Sequence, residues 1–347
     1  MVRPGALLGL QVVGYAGGRL AARVQLGAVT QLELLREPAL TAASEHPSQH
    51  PAHVRSMHAL KPKIHHFAGC SRNRVGRFTI PYTSPMPERD QLLEVAVEAA
   101  GSAGRLLLER FNRPATGVER KSSSTDMVSD ADRDAEAAIR SIISRRRPDD
   151  AILGEESGVV GGATGLRWVV DPLDGTTNYL YGQPVWSVSI ACEDAAGAVA
   201  AIVLDPCSDE AFTAVRGGGA RLNDRPIAVS DAAELQRSLI GTGFSYVPAV
   251  REGQARSLVG ILPRVRDVRR AGSAAIDLAW VACGRLDGYY ELGTRHWDRA
   301  AGVLLVREAG GVVSSLAPVG ESGDGVLAAG PALHRDLERL VTGALLH

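Results

Sequence analysis

The sequence predicts a layered α/β protein made of two joined subdomains. Three observations carry that expectation. Two amphipathic helical stretches open the orderly part of the chain, a run of short apolar strands follows, and the last third alternates strand with helix. At 347 residues, 45% of them hydrophobic, the chain has ample material for such a core.

The elements follow in order from Asp90. DQLLEVAVEAAGSAGRLLLERF places apolar residues three and four apart and reads as a long helix. After the loop NRPATGVERKSSSTDMV, SDADRDAEAAIRSIISRRR is a second helix, with Ser129 placed to cap it and Asp132 at the capping-box position. AIL at 151–153 and RWVV at 167–170 are strands with GEESG between them. VWSVSIAC, AVAAIVL and EAFTAV continue the sheet, and GGGARLNDRPIAV reads as a hairpin. Then come strand SLIGTGF, a helix near 249–262, strand DVRR, helix GSAAIDLAWVACG and strand DGYYEL. Helix HWDRAAGVLLVREAGG, strands VVSS and VLAAG, and a terminal helix from Pro331 complete the chain.

Residues 1–87 differ in kind. They lack sustained periodicity, hold six of the nine histidines, and carry ten Lys or Arg against three acids. They are expected to be disordered or poorly structured, with the catalytic region confined to 88–347. Met86 stands just before the first helix, so an over-extended start is one reading; a basic docking arm or transit-like leader is the other.

The remaining chain carries 28 basic residues against 36 acids. That acidic body argues against broad nucleic-acid binding and suits a protein that collects metal cations. No stretch reaches the roughly 18 apolar residues of a membrane span. Cys70, Cys192, Cys207 and Cys283 have no zinc-type spacing and read as reduced thiols of a cytoplasmic protein. Of three lysines only Lys121 lies outside the first 87 residues, against 35 arginines in the chain. A lone lysine in that setting suggests a place that wants a compact point charge.

Acids recur at element boundaries. Glu155 and Glu156 follow one strand, Asp171 and Asp174 end another, Asp298 opens a helix, and Asp126 and Asp132 flank the second helix start. Singly, such residues are most often solvated turns or caps. Together they are oxygen ligands for a hard divalent cation, which relieves the repulsion between Asp171 and Asp174. Glu155, Asp171, Asp174 and Asp298 are expected to hold two ions, Asp171 bridging, with the Leu173 carbonyl as a further ligand. Gly175 would let backbone approach a ligand closely, and the N–H groups of Gly175 and Thr176 would cradle a phosphate.

GEES (154–157), DPLDGTTNY (171–179) and WDRAAG (297–302) resemble the three signature motifs of the inositol monophosphatase family. KSSSTDMVSDAD (121–132) resembles its N-terminal motif, and RRAGSAAIDLAWVACGRLDGYYE (269–291) its substrate-side segment. The resemblance runs from about residue 88 to the C-terminus; the first 87 residues have no counterpart in it. It implies an αβαβα sandwich of the sugar-phosphatase type and a Mg²⁺-dependent, lithium-sensitive phosphomonoesterase with two or three ions per site, usually a homodimer. By position it implies Glu155, Asp171 and Leu173 as ligands of one ion, and Asp171, Asp174 and Asp298 as ligands of a second. Thr176 with Asp132 would orient the attacking water, with Glu155 also catalytic, and Lys121 and Asp126 would lie in the loop that closes over the site. His296 is expected to pack or face solvent rather than act as a base.

For the substrate, Thr177 after Thr176 favours the inositol branch over relatives with GTK at this point, which act on histidinol phosphate or adenosine bisphosphates. Glu291 matches a residue that accepts bonds from sugar hydroxyls. Gly272, Ser273 and Ala274 match the helix start lining the same pocket, with Asp174, Gly175, Thr176, Thr177 and Asp298 completing the substrate contacts. Inositol 1-phosphate is the expected substrate; histidinol phosphate, or sugar phosphates including fructose 1,6-bisphosphate, are the alternatives.

Overall fold

The computed structural model describes residues 88–121, 127–316 and 323–345. The expectations for residues 1–87, and for Asp126, lie outside these.

Helix α1 (Glu88–Arg110) buries one stripe, Leu92, Val95, Ala96, Ala99, Ala100, Ala103 and Leu107. Its small residues let it lie close to the sheet. A Cβ on Gly104 would stand 2.9 Å from Leu204 and 3.2 Å from Pro206. Strands β1 (Glu119–Arg120) and β2 (Met127–Val128) pair antiparallel ahead of α2 (Asp130–Arg146). Next come β3 (Ala151–Gly154), β4 (Gly158–Val160), β5 (Arg167–Asp174), the short helix α3 (Thr176–Leu180), β6 (Ser187–Asp194), β7 (Gly197–Asp205) and β8 (Glu210–Val215). The expected hairpin is β9 (Gly219–Leu222) and β10 (Arg225–Pro226). Asn223 and Asp224 join its strands at φ 47° and 66°, the left-handed pair a two-residue turn requires.

The chain then forms β11 (Leu239–Thr242), α4 (Pro248–Ile261), β12 (Asp267–Arg269), α5 (Ala274–Ala282) and β13 (Gly288–Gly293). It ends with α6 (His296–Glu308), β14 (Val312–Leu316), β15 (Gly323–Ala329) and α7 (Pro331–Leu345). Eight strands form one sheet in the order β10-β9-β8-β7-β6-β5-β3-β4, and five form another in the order β12-β11-β13-β15-β14.

Alternation along the strands builds three cores. Trp168 and Val170 of β5 pack with α1 and α2, while Val169 between them packs with α5 and α6. On β13, Tyr289 joins the α5–α6 core and Tyr290 joins Ile261 of α4 with Leu333 and Leu337 of α7. The layers are therefore helix, sheet, helix, sheet, helix, as expected. β3 runs parallel to β5, and β11 runs parallel to β12 and β13. Ends of parallel strands in both sheets are the usual place for a ligand in α/β proteins.

An aromatic trio fixes α3. Phe111, Tyr179 and Trp186 meet in tilted and edge-to-face pairs with centroids 5.1 to 5.4 Å apart, and the Tyr179 hydroxyl donates to the Leu107 carbonyl at 2.8 Å. Such ring pairs contribute about 0.5–1.5 kcal/mol each beyond area burial.

Candidate active site

Residues three apart on a regular strand face opposite sides, so Asp171 and Asp174 should diverge. A bulge prevents it. Asp171 pairs with Ser189 and Asp174 with Ser187, so Pro172 and Leu173 stand opposite Val188 alone. The extra residue brings Asp171, the Leu173 backbone region and Asp174 to one cleft. Glu155 arrives at its rim because β3 parallels β5, with its N–H on the Val170 carbonyl at 3.1 Å. Asp298 enters from the first turn of α6, accepting from the Arg295 N–H at 2.7 Å.

Burial, then repulsion from Glu155, Asp174 and Asp298, holds the Asp171 carboxyl well above its usual range. Burial, then Asp174 and Glu155, does the same to Asp298. Asp174 is pushed up to about 6 by burial, although Ser273 Oγ at 2.6 Å and the Ala275 N–H at 2.7 Å oppose the rise. Such a set favours a bound proton or cation.

The donors are all oxygen, the chemistry of Mg²⁺ or Ca²⁺ rather than of softer metals. Among the described residues no three His, Cys, Asp or Glu side chains already converge as a ligand shell. The carboxylates line one cleft but rest on protein donors. Asp171 accepts from the Leu173 N–H at 3.1 Å, and Lys121 Nζ reaches Glu155 at 2.7 Å and Glu156 at 2.5 Å. Burial alone would lower the Lys121 ammonium, but these two carboxylates outweigh it and hold it above its usual range. Burial pushes Glu156 up to about 7 against the same lysine.

Thr176 Oγ lies 3.0 Å from Asp132 Oδ1 and 3.0 Å from the Leu173 carbonyl. Asp132 is 1% exposed, and its other oxygen accepts from the Ser129 N–H at 2.8 Å and Ser129 Oγ at 2.6 Å. The capping-box acid of the second helix thus also ties that helix to Thr176. Gly175 precedes α3 at φ 94°, where a Cβ would stand 3.1 Å from the carbonyls of Val185 and Gly272. Only a glycine turns the chain here without strain. With five residues, α3 adds little dipole to the N–H groups of Gly175 and Thr176.

The second sheet closes the cleft. Glu291 of β13 lines it and accepts from the Tyr289 hydroxyl at 2.6 Å; burial pushes it up to about 7 against that bond. Gly272 and Ala274 line it too, and Ser273 caps α5 by accepting from the Ile276 N–H at 3.2 Å. Thr177 is not among the lining residues; its carbonyl accepts from the Tyr181 N–H at 3.1 Å. His296 pairs with Glu193 at 3.0 Å and does not line the cleft.

Several residues at the site are not among the expected site residues. Asn178 donates to the carbonyls of Val185 at 2.7 Å and Ala271 at 2.9 Å, tying α3 to the start of α5. Arg270 and Phe244 line the cleft, and a Cβ on Gly243 would overlap the Glu291 carboxylate. Asp277 of α5 is buried with Oδ1 unpartnered among the described residues. Asn178 lies within the string DPLDGTTNY, and Arg270 and Asp277 lie within RRAGSAAIDLAWVACGRLDGYYE, but their roles depend on contacts that spacing alone does not show.

Fold and cleft define a layered α/β phosphatase. It belongs to the inositol monophosphatase family, whose sequence model matches residues 88–342. The chain is 45% identical over 230 residues to an inositol-1-monophosphatase of Mesorhizobium japonicum, covering 66% of this chain and 86% of the relative. It is 46% identical over 222 residues to the Nus factor SuhB of Xylella fastidiosa, covering 64% and 80%. Among solved structures it resembles the extragenic suppressor protein SuhB of Bartonella henselae, with TM-score 0.68 and 39% identity over 72% of this chain and 98% of that one. It also resembles the inositol monophosphatase of Anabaena, with TM-score 0.64 and 38% identity over 74% and 97%. No described helix is long and apolar enough to cross a membrane.

Proposed function

We propose that the chain is a Mg²⁺-dependent phosphomonoesterase that hydrolyses inositol 1-phosphate to inositol and phosphate. The observation that carries the reading is the meeting of Glu155, Asp171, Asp174 and Asp298 in one cleft, with Glu291 opposite. Glu155, Asp171, Leu173, Asp174 and Asp298 would hold the ions, two or three in number. Bound there, Mg²⁺ supplies Lewis-acid charge that activates water and offsets charge on the leaving oxygen. The protein's own part is positioning, which dominates phosphoryl transfer. Thr176, donating to Asp132, would aim the attacking water. The N–H groups of Gly175 and Thr176 would face phosphate oxygens, and Lys121 would sit over Glu155 and Glu156 at the mouth of the site. Glu291, backed by Tyr289, would accept from ring hydroxyls, and Gly272, Ser273 and Ala274 would shape the floor beneath the ring. By family pattern the enzyme is a lithium-sensitive, cytoplasmic homodimer.

The test is phosphate release from inositol 1-phosphate, histidinol phosphate, fructose 1,6-bisphosphate and adenosine 3′,5′-bisphosphate, in Mg²⁺ and then in EDTA. Selective Mg²⁺-dependent release from the first is expected; preference for another ester would overturn the substrate. A second reading, a binding protein that keeps the fold without turnover, draws support from the Nus factor name of several relatives. Folded protein silent on every ester would favour it.

A further inference from the structure

Glu136 lies one turn after Asp132 on α2, 2% exposed on the stripe that also carries Ala135 and Ile139, and outside the cleft. A glutamate on a core-facing stripe is costly unless hydrogen bonds satisfy it. Here they do. One carboxylate oxygen accepts from the Glu156 N–H at 2.8 Å. The other accepts from the Ser157 N–H at 3.2 Å and from the Ser157 hydroxyl. Arg140, one turn further on, reaches the same group at 3.5 Å.

Every bond but the last lands on the turn that carries Glu155. The turn's N-terminal side is pinned separately, by the Glu155 N–H on Val170. Strand β3 ends in Gly154 for the same reason: a Cβ there would overlap the Glu136 carboxylate, so only glycine lets the acid reach beneath the turn. Lys121 holds Glu155 and Glu156 by their side chains, leaving the backbone to Glu136. Two residues of one helix thus set two parts of the site, Asp132 through Thr176 and Glu136 through the 155–157 turn.

We infer that Glu136 is the positioning residue for the cation ligand Glu155, fixing its turn through the backbone N–H groups of Glu156 and Ser157. The inference rests on the proposed reading that Glu155 binds a divalent cation. Outer-shell partners of this kind are worth about 10–100-fold in metal affinity.

The test compares full-length wild type, Glu136→Gln and Ser157→Ala by titration with Mn²⁺, followed by the spin-resonance signal of free Mn²⁺. The Mg²⁺ dependence of phosphate release from inositol 1-phosphate is measured alongside. A Gln amide can accept one of the N–H groups but turns an NH₂ toward the other. The Mn²⁺ Kd of Glu136→Gln is expected to rise about tenfold or more, the Mg²⁺ concentration for half activation to rise with it, and kcat at saturating Mg²⁺ to fall by less than about threefold. Ser157→Ala, which removes only the hydroxyl bond, should move the same way by less. A merely structural glutamate would lower Tm while leaving Mn²⁺ affinity of the folded protein unchanged, and that result overturns the inference. If Glu136→Gln does not fold, unchanged affinity in Ser157→Ala overturns it. Wild type that binds no Mn²⁺ overturns both this inference and the proposed function. Wild type that binds Mn²⁺ but releases no phosphate defeats the reaction alone, and weakened Mn²⁺ binding by Glu136→Gln then still supports the role of Glu136.

Discussion

Ser273 donates a 2.6 Å hydrogen bond to Asp174, a residue 99 positions earlier, while its oxygen accepts the Ile276 N–H that starts α5. One hydroxyl therefore locks a cleft-facing aspartate of the eight-stranded sheet to the helix layer between the sheets.

That lock makes Asp174→Asn a clean probe. A single amide oxygen can take both bonds that now fall on one oxygen of Asp174, from Ser273 and from the Ala275 N–H. The Tm should stay within about 3 °C of wild type. Turnover should fall by about 10³ or more, because the lost charge removes cation affinity and transition-state stabilisation worth several kcal/mol. Near-normal turnover would contradict the cation reading of Asp174.

Thr176→Val keeps volume and removes the hydroxyl that lies 3.0 Å from Asp132. Asp132 retains both Ser129 bonds, so the fold should survive. A loss of about 10²-fold in kcat, with the Mg²⁺ half-activation point moving less than about threefold, is expected of a group that orients water. A Mg²⁺ titration of the variant separates this from a ligand defect.

Divalent cation should stabilise the protein as well as activate it. With Mg²⁺ at about 100 times its Kd, binding adds about 2.7 kcal/mol, roughly 5–10 °C in Tm for a domain of this size. Thermal melts in EDTA and in Mg²⁺ measure it. Coincident melts would mean that the buried acids of the cleft hold no cation.

Glu291 supplies a pH dependence of known sign. Burial, with repulsion from Asp174 on β5 and against the Tyr289 hydrogen bond on its own strand and the Arg270 charge lining the cleft, raises it from 4.5 to about 7. From α5, Asp277 is itself held well above its usual range by burial and then by Glu291. The folded state binds this proton more tightly than the unfolded chain, so the contribution is complete below about pH 4.5 and is lost as pH rises through about 7. In EDTA, wild-type Tm should fall between pH 5 and pH 8 more steeply than that of Glu291→Gln, by the equivalent of about 1–3 kcal/mol. The same variant should redistribute rates among sugar phosphates more than it alters Mg²⁺ dependence. Parallel melting curves and an unchanged substrate profile would remove Glu291 from the pocket's chemistry.

Most elements were legible because their patterns are local. The stripe from Leu92 to Leu107, the Pro248 start of α4 and the Asn223-Asp224 turn each announce themselves within a few residues. β4 went unread because Val159 and Val160 are both exposed, so no alternation marks the strand. β5 runs on through Pro172 to Asp174, past the expected end at Val170, because the bulge lets a proline sit within it. The strand orders of the two sheets are long-range facts that no local pattern encodes. In the site, acids in distinctive strings were found. Glu136 was hidden by its setting, since a glutamate on a helix reads as a solvated face until the turn above it is known.

Glu155 comes early in the described chain, just after β3, and Asp298 comes late, at the start of α6. A chain emerging from synthesis makes Glu155, Asp171 and Asp174 while both α5 and α6, which hold Asp174 and supply Asp298, do not yet exist. The acids of the bulge cannot meet their last partner until the central helix layer has been made and slotted between the sheets. If these acids hold a cation as proposed, cation affinity would report that α5 and α6 have packed between the sheets, and a chain ending before α6 would lack it.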